Sequence, residues 1–421
     1  MNSTFHLLLL VTLIHFIIGA KILGIFHGYS SSHQQLGNKI LCELAKRGHE
    51  VTAIVQGKFA PKNAVTNFKP IVIEYGAFLR DQSSTLYKTP ERGPIDQIRD
   101  LHAGGVFLTE LFFNQTSVQN LLKSNQEFDM VILEQFVNEA FKGFCYYYKA
   151  HCVVVYTVGS SRSTNLQMGN PLNPSYMPDV LLNYSSKMNF VQRLFNSFAV
   201  FFATLSFYWT VLPKHNEILQ KNFPGAPYIT ELYYETSLIL LNSHVGTSSP
   251  VPLLPNMIEI GGFHLNSPKR LPKDLQTYLD EGKDGVIYFS MGSNLKGKDM
   301  EEGKRNAILK VFSKLKQRVL WKWENETVPD QPNNVKLGKW MPQQDILAHP
   351  NIKLFVTHGG LLSIIEAVYH GIPIVGIPIF GDQGMNVAIA KADGYGKVVE
   401  FSTLTEENFG NAVTEVLNNP K

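Results

Sequence analysis

Cysteine and net charge are both low in this chain of 421 residues. Its three cysteines, Cys42, Cys145 and Cys152, are too few for a disulfide framework, and we expect them to be small buried hydrophobic side chains. The net charge of +3 and the lack of any lysine or arginine run argue against nucleic acid as a partner. With 44% apolar and 17% charged residues the composition is that of a globular protein, and the length indicates two domains.

Sequence signatures of bound metals and dinucleotides are also missing. The chain has no Asp-x-Asp pair and no cluster of histidines and cysteines at metal-ligand spacing, so we expect neither a metal nor another cofactor. No Gly-x-Gly-x-x-Gly follows the first predicted strand, which argues against a nicotinamide-dependent dehydrogenase.

Long apolar stretches are few, and the first lies within Met1–Ala20. It covers Leu7–Leu13 and Phe16–Ile18 and ends in two small residues, so it predicts a secretory signal peptide; an uncleaved membrane anchor is the alternative. A lumenal chain would carry glycans at sequons, of which there are three: Asn114-Gln-Thr116, Asn183-Tyr-Ser185 and Asn325-Glu-Thr327.

A second apolar stretch, Phe190–Leu212, is dense in aromatic residues. Its length approaches that of a membrane span, but polar residues such as Asn196 and Thr204 interrupt it. We expect a buried helix here; the alternative is a surface that faces lipid or a lipophilic ligand. A second aromatic patch, Phe107–Phe113, belongs to the same half of the chain.

Apolar strands that alternate with amphipathic helices indicate a doubly wound α/β fold. Strands Lys21–Phe26 and Gly48–Val55 flank a helix Gln34–Lys46 that Ser31 or Ser32 can cap. Further strands are predicted at Phe128–Leu133, Cys152–Tyr156, Thr236–Asn242, Val286–Met291, Val319–Trp323, Val335–Leu337, Leu354–Val356 and Ile374–Ile377, and a helix at Asn138–Tyr148. A charged, proline-containing linker at 261–284 separates an N-terminal domain, 21–260, from a C-terminal domain, 285–421.

The most informative segment runs from Phe355 to Gln383. A buried strand ends at His358-Gly359-Gly360, and a helix, Leu361–Tyr369, follows at once. The glycines allow close approach of the backbone to a ligand, and the unpaired amides at the helix start suit a phosphate. His358 can donate a hydrogen bond to the same anion. This order of elements predicts a nucleotide-binding βαβ unit.

Three polar residues farther along this segment suit the rest of a nucleotide sugar. Glu366, about two turns into the helix, could accept hydrogen bonds from ribose hydroxyls. Asp382 and Gln383, after the second strand, supply an acceptor and a mixed donor and acceptor for sugar hydroxyls. Each residue alone is a weak indication, whereas the ordered set over one short segment is specific.

At these residues the chain resembles the UDP-glycosyltransferase family, in particular its animal, membrane-associated, UDP-glucuronosyl and UDP-glucosyl branch, including invertebrate members. The preceding Trp340-Met-Pro-Gln343 is similar to the family's Trp-x-Pro-Gln element, and Val286–Ser293 resembles its first C-terminal strand and phosphate turn. The resemblance extends from Lys21 to the last residue. It implies two facing Rossmann-like domains of GT-B type. In the donor site it implies that Trp340 stacks on uracil and that Gln343 bonds to ribose. The diphosphate would be bound by Gly292, Ser293, His358 and Gly360.

The resemblance also implies a catalytic base and its carboxylate in the N-terminal domain. The family's base falls in a Ser-His pair that matches Ser32-His33, although His27 is a rival from the residues alone. The family's aspartate aligns with Glu134, so this chain has a longer acid there. Asp129 is a competitor, but it lies early in its strand.

Two features depart from the family pattern. Leu362 and Ser363 stand where many members have Asn and Gly, which puts donor affinity in question. Relatives usually continue with helices that return to the first domain, a transmembrane helix and a basic tail. We therefore expect either a truncated form or fragment, or a soluble variant.

The resemblance implies an inverting transfer of a hexose, glucose as first guess, from a UDP-sugar to a hydroxyl of a small lipophilic aglycone, which gives a β-glycoside. The alternative is a catalytically impaired or truncated UDP-sugar-binding homologue that acts as a binding protein or partner subunit. The partners expected are UDP-sugar, the acceptor, a membrane surface and a possible oligomer. The family also implies the lumenal side of the endoplasmic reticulum and a role in detoxification.

Overall fold

Parallel strands form two separate sheets in the computed structural model, which describes residues 19–28, 30–61, 63–75 and 83–419. Most of the predicted signal peptide, 1–18, lies outside the described residues. The first sheet has the order β3-β2-β1-β4-β5-β6-β7 and the second β10-β9-β8-β11-β12-β13. All strand pairings are parallel, as crossover connections through helices require. The predicted α/β fold of two doubly wound sheets is confirmed.

The first sheet and its helices occupy the N-terminal part of the chain. Its strands are β1 Lys21–Ile25, β2 Glu50–Gln56, β3 Phe68–Ile73, β4 Met130–Glu134, β5 His151–Tyr156, β6 Leu238–Leu241 and β7 Met257–Glu259. Its helices are α1 Ser31–Lys46, α2 Ser83–Leu86, α3 Pro94–Phe113, α4 Thr116–Leu122, α5 Lys142–Tyr148, α6 Arg162–Met168, α7 Phe190–Ser206, α8 Leu212–Asn222 and α9 Ile229–Tyr234. Ser30 stands at the N-cap of α1, so the predicted caps Ser31 and Ser32 lie one and two positions too late.

The second sheet begins after a short helix, α10 Lys273–Asp280, whose buried leucines pack against it. Its strands are β8 Val286–Ser290, β9 Arg318–Lys322, β10 Val335–Gly338, β11 Ile352–Thr357, β12 Ile374–Gly376 and β13 Gly396–Val398. Its helices are α11 Glu302–Ser313, α12 Gln343–Leu347, α13 Leu361–Tyr369, α14 Gln383–Ala392 and α15 Glu406–Asn418. Separate apolar clusters cover the two faces of each sheet.

Each sheet reverses its strand order at one place. In the first sheet β1 pairs with β2 on one side and β4 on the other, and in the second sheet β8 pairs with β9 and β11 in the same way. Loops that leave neighbouring strands at such a switch point diverge and open a crevice at the carboxyl ends of the strands. The fold therefore places one crevice after β1 and β4 and another after β8 and β11.

Two expectations about side-chain environment are wrong. Cys145 and Cys152 form a disulfide with a Cα–Cα distance of 5.5 Å, because a left-handed turn at Lys149 brings the end of α5 back to the start of β5. Cys42 is free and half-buried. The stretch Phe190–Leu212 is helical as predicted, but most of its large side chains are exposed rather than buried.

Candidate active site

One cavity of about 1270 Å³ lies between the carboxyl edges of the two sheets. Its wall combines residues of both halves of the chain, and every predicted site residue except Glu134 lines it. These residues are His33, Gly292, Ser293, Trp340, Gln343, His358, Gly360, Glu366, Asp382 and Gln383. The fold thus brings together side chains that are up to 350 positions apart (383 − 33).

The strand ends at the first switch point place His33 beside Glu134. His33 lies in the first turn of α1, directly after the loop that leaves β1, and Glu134 is the last residue of β4. Nδ1 of His33 hydrogen-bonds to Oε1 of Glu134, which is fully buried. The amide of Gly28 donates a second hydrogen bond, 3.3 Å long, to Oε2 of the same carboxylate. The predicted pairing of these two residues is therefore present in the structure.

Electrostatics shift the pKa values of this pair in the directions that favour the charged forms. Burial opposes protonation of His33, but the charge of Glu134, the hydrogen bond to it and the more distant Asp382 outweigh burial and raise the pKa of His33. Burial likewise opposes ionisation of Glu134, but the charge and hydrogen bond of His33, with His27 and the Gly28 amide, lower the pKa of Glu134. With Nδ1 committed to the carboxylate, Nε2 is the nitrogen that can take up a proton.

The loop after β4 holds Glu134 through contacts that the sequence did not reveal. The Asn138 amide donates to the carbonyl of Glu134 at 2.8 Å and accepts from the amide of Phe136 at 2.8 Å. Phe136 then packs edge-on against the ring of His33, with 5.1 Å between centroids. Val137 has a φ of 54°, unusual for a β-branched residue, and Gly105 of α3 packs directly against it. These contacts fix the loop that orients both members of the pair.

The two rivals occupy other environments. His27 is buried between Phe112 and Phe141, and burial lowers its pKa to about 4, although its Nδ1 is 3.9 Å from Oε2 of Glu134. Asp129 lies at the opposite end of β4, where its carboxylate accepts the backbone amide of Lys21 at 2.7 Å. His27 thus lies close to Glu134 but beyond hydrogen-bonding distance, and Asp129 lies away from the pair.

The second switch point brings the turn after β8 against His358. A Cβ on Gly292 or on Gly360 would lie 2.5–2.6 Å from the imidazole of His358, so only glycine fits on either side of the ring. Gly292 also has a φ of +79°, which favours glycine. Burial, with a smaller contribution from Lys322, lowers the pKa of His358 to about 4. The imidazole is therefore neutral and can donate one hydrogen bond beside the amide-rich start of α13.

Glu366 is buried near the cavity wall and is held by two amides. Nε2 of Gln343 donates to one of its oxygens at 2.6 Å, and Nε2 of Gln344 donates to the other at 3.1 Å. Gln343 also donates to the hydroxyl of Ser363 at 3.0 Å, so the serine at this departure from the family pattern takes part in the network. The predicted ribose ligands Gln343 and Glu366 therefore lie in contact with each other.

Asp382 and Gln383 begin α14 at the edge of the cavity. The Oε1 atom of Gln383 accepts the amides of Ile379 and Phe380 at 2.9 and 3.2 Å, which leaves its NH₂ group for other partners. Asn386, which the sequence analysis missed, donates to Asp382 at 2.8 Å and to the carbonyl of Gly359 at 3.0 Å. Its position one helical turn after Asp382 was the available signal.

The remaining predicted residues, Trp340 and Ser293, also line the cavity. Trp340 is 71% exposed. Ser293 accepts a hydrogen bond from the hydroxyl of Ser31, the residue that opens α1, at 2.6 Å. Asn294 donates to Ser30 at 3.2 Å, so the loops that follow β1 and β8 touch across the cleft.

No group of three histidine, cysteine or acidic side chains within residues 19–28, 30–61, 63–75 and 83–419 is arranged to hold a metal ion. The polar groups described above can position and stabilise an anion without one. The expectation that no metal is needed stays a prediction.

Residues 20–421 match a family described as "UDP-glucoronosyl and UDP-glucosyl transferase". The chain is 35% identical to UDP-glycosyltransferase UGT5 and 34% identical to UDP-glucosyltransferase 2, both of Dactylopius coccus. These alignments cover 99% and 95% of the chain and 80% and 78% of the relatives. Among solved structures, the calicheamicin glycosyltransferase CalG4 is similar at a TM-score of 0.61 and 16% identity, over 95% of the chain and 90% of that protein. This structural likeness supports a GT-B arrangement of the two sheets.

Proposed function

The chain belongs to the UDP-glucuronosyl and UDP-glucosyl transferase family, and from this membership we propose that it is an inverting hexosyltransferase. Its donor is a UDP-sugar and its acceptor is a hydroxyl of a small lipophilic aglycone. The observation that carries the proposal is that His33, hydrogen-bonded to the buried Glu134, lines the same cavity as Gly292, His358 and Asp382.

In the proposed reaction His33 is the base. Glu134 accepts the hydrogen of Nδ1, so Nε2 takes the proton of the acceptor hydroxyl as the new bond forms. The acceptor oxygen attacks the anomeric carbon while the bond from this carbon to the diphosphate oxygen breaks on the opposite face. One displacement inverts the configuration, so an α-linked donor gives a β-glycoside and UDP.

The leaving diphosphate gains negative charge during this step. The amides of Gly292 and Gly360, the hydroxyl of Ser293 and the neutral imidazole of His358 are preorganised where that charge develops. We assign Trp340 to the uracil, Gln343 and Glu366 to the ribose, and Asp382 and Gln383 to the hydroxyls of the sugar. In this assignment the donor needs no metal and the enzyme needs no cofactor.

Glucose is the first choice of sugar, because a relative from Dactylopius coccus that is 34% identical is named UDP-glucosyltransferase 2. A lipophilic acceptor fits the apolar side chains of the N-terminal wall, which include Leu101, Phe107, Leu108 and Leu181. We further propose action in the lumen of the endoplasmic reticulum at a membrane surface, in keeping with the family resemblance.

The alternative function, UDP-sugar binding without transfer, has less support. A protein that only binds the donor has no use for a buried carboxylate that raises the pKa of a histidine facing the second half of the cavity. The replacement of aspartate by Glu134 leaves the hydrogen bond to His33 in place.

The proposal is tested by measuring UDP release with UDP-glucose and UDP-glucuronate against a panel of phenols and steroids. We expect release that depends on the acceptor, a β-linked product by NMR, and at least about a 10²-fold loss of kcat in His33→Ala. His244→Ala, which replaces an exposed histidine outside the cavity wall, is the matched control. UDP binding without turnover in the wild-type chain would favour the binding-protein alternative.

A further inference from the structure

The outer side of α7 and of the turn that follows it is an aromatic surface without cover among the described residues. It comprises Leu194, Phe195, Phe198, Phe201, Phe202 and Trp209, which we call the aromatic face. These residues recur at helical spacing, so they share one side of the helix. Phe198 is 56% exposed and Trp209 is 73% exposed. Single exposed aromatics are ordinary, but a contiguous row of them marks an interaction site.

The opposite side of α7 is fixed to the domain by polar contacts. Asn196, which is fully buried, accepts the amide of Asp179 at 2.8 Å and donates to the carbonyls of Pro174 and Met177. Ser206 hydrogen-bonds to His102 of α3 at 3.1 Å. Within the described residues, Phe190–Asn222 has the length and apolar composition to cross a membrane. The buried polar contacts favour a helix that lies along a membrane instead of crossing it.

The charged residues of the chain segment that carries the aromatic face are of one sign. Between Asp179 and Glu217 the chain has no acidic residue, whereas Arg193 and Lys214 are exposed near the two ends of the face. A row of large aromatics with basic residues beside it suits the headgroup region of an anionic lipid bilayer. A symmetric contact with a second copy would bring these basic residues close to one another, which is unfavourable.

The aromatic face also adjoins the acceptor side of the cavity. The turn Phe207–Val211 packs against α3, and the half-exposed Phe107 of α3 lines the cavity. We propose that the aromatic face docks the protein on the surface of an anionic lipid bilayer, with α7 parallel to the membrane plane. A lipophilic acceptor dissolved in that bilayer then has a short path to the N-terminal wall of the cavity.

Flotation of the full chain with lipid vesicles tests this proposal. We expect the triple variant Phe195→Gln, Phe198→Gln, Phe202→Gln to bind vesicles at least about tenfold more weakly, because it removes three of the six apolar side chains of the aromatic face. The matched control replaces three exposed apolar residues elsewhere, Val245→Gln, Ile258→Gln and Tyr369→Gln, and should bind as the wild type does. Equal binding of wild type and triple variant would overturn the proposal, since another segment would then hold the vesicle.

Two further measurements separate the bilayer from a second protein copy. Replacing Arg193 and Lys214 with Gln should weaken binding to vesicles that contain phosphatidylserine by roughly tenfold and leave phosphatidylcholine vesicles unaffected. Brominated lipids should quench the fluorescence of Trp209 but not that of Trp340, the second exposed tryptophan, as the variants Trp209→Phe and Trp340→Phe will reveal. A dimer in sedimentation that the triple variant loses, without vesicle binding by the wild type, would assign the face to self-association and overturn the proposal.

An independent observation concerns Gly104 in the middle of α3. A Cβ on Gly104 would meet no atom within 4 Å, and the residue lines the cavity on the same helix side as Leu101 and Leu108. Packing therefore does not require glycine here, although glycine in a helix interior costs about 1 kcal/mol relative to alanine. The next residue, Gly105, packs on Val137, whose neighbour Phe136 contacts His33.

We infer that Gly104 sets the width of the acceptor pocket, an inference that rests on the proposed transferase function. The space in front of it continues the cavity, so a side chain there would occupy volume that a large acceptor needs. Gly104→Leu should lower kcat/KM for a steroid by at least about tenfold, by analogy with other steric blocks of an apolar pocket, and change it little for a simple phenol. Gly104→Ala should have a smaller effect of the same kind and raise Tm.

Ala103→Leu is the matched control, because Ala103 is the exposed neighbour on the same helix. It should leave the ratio of steroid to phenol turnover unchanged. An equal loss for both acceptors in Gly104→Leu and Gly104→Ala would overturn the role of Gly104. Absence of transfer to any acceptor by the wild type would instead contradict the proposed function itself.

Discussion

The two walls of the cavity differ in how their polar groups are distributed. The N-terminal wall has one hydrogen-bonded acid–base pair, with His33 on its surface and Glu134 buried behind it, next to apolar side chains such as Leu101. The C-terminal wall spreads its polar groups over two glycine turns, two helix starts and a network of amides and carboxylates. On a wall with one proton-transfer pair, proton transfer depends on one nitrogen and one carboxylate. On a wall that surrounds an anion, many hydrogen-bond donors contribute to binding, so each contributes less.

This difference follows from the chemistry proposed for each wall. An acceptor presents one proton to be removed and a variable apolar body, which favours a single base in a loosely specific pocket. A nucleotide diphosphate sugar presents many fixed polar atoms, each of which needs a partner when it is buried. Single replacements should therefore reduce catalysis severely on the first wall and donor affinity more moderately on the second.

The largest effect is expected for Glu134→Gln. The replacement keeps the shape of the side chain but removes the charge that stabilises protonated His33 and its tautomer, so kcat should fall by about 10²–10⁴-fold with little change in UDP affinity. Steady-state turnover measures kcat, and calorimetric titration with UDP measures the affinity for UDP.

Glu139→Gln is the matched control for this experiment. Glu139 is buried in the same domain, but it contacts Gln135 and His215 instead of His33, and burial raises its pKa to about 7. Its neutral isostere should retain nearly full kcat. Comparable losses in both variants would mean that Glu134 acts through stability, and the contrast between the two walls would then fail.

A smaller effect is expected on the C-terminal wall for Gly292→Ala. The added methyl group would press on the ring of His358 and displace it, so the Kd of UDP should rise by roughly tenfold, the loss of about one good hydrogen bond. The activity that remains at saturating donor should be closer to the wild type than that of Glu134→Gln.

Gly371→Ala is the control for the backbone strain that alanine introduces in Gly292→Ala. Gly371 has a similarly positive φ of 68°, but an added methyl group there meets no atom within 4 Å. Both variants should lose a comparable amount of stability, and only Gly292→Ala should lose UDP affinity. Equal UDP binding by the two would show that the ring of His358 takes no part in binding the diphosphate.

The two walls also differ in how far the sequence could predict them. The C-terminal groups lie within a local strand–turn–helix order, so spacing alone predicted that His358, Gly360 and Glu366 bind the same ligand. The pairing of His33 with Glu134 spans 101 positions and needed the alignment of two strands that the family resemblance supplied. Phe136, Gly104 and Gly105 join the N-terminal wall only through tertiary contacts that carry no local signal.

Elements of the fold that were missed share a physical cause. Strands β3, β7 and β13 lie at sheet edges; β7 and β13 have only three residues each, and β3 carries Pro70, which an edge strand tolerates. The apolar composition of α7 indicated a helix but not the direction of its aromatic face, because the buried side contains a polar residue, Asn196, beside the smaller Val200 and Ala203. Composition predicts which segments form helices or strands, whereas tertiary contacts determine which face of each element is buried and which is exposed.

The smallest expected effect concerns the pH dependence of kcat/KM, and it identifies which histidine is the base. The reaction requires the unprotonated base, so kcat/KM should rise with pH until the base has lost its proton. Because the charge of Glu134 outweighs burial, the pKa of His33 is raised, and the acid limb of the profile should lie above pH 6.5. A base at His27, whose pKa is about 4, would place this limb near pH 4.

Removal of the charge at position 134 sharpens the same test. In Glu134→Gln, burial still lowers the pKa of His33, but the carboxylate of Glu134 no longer raises it. The pKa of His33 therefore falls, and the acid limb moves to lower pH. The residual rate should thus become less sensitive to acid even though it is much lower. His358→Gln should leave the limb in place, because burial lowers the pKa of His358 to about 4 and we assign this residue to the leaving group instead of the acceptor. If the acid limb stays at the same pH in Glu134→Gln, it reports the titration of a group other than His33 and Glu134. The proposal that proton transfer is confined to the N-terminal wall would then be wrong.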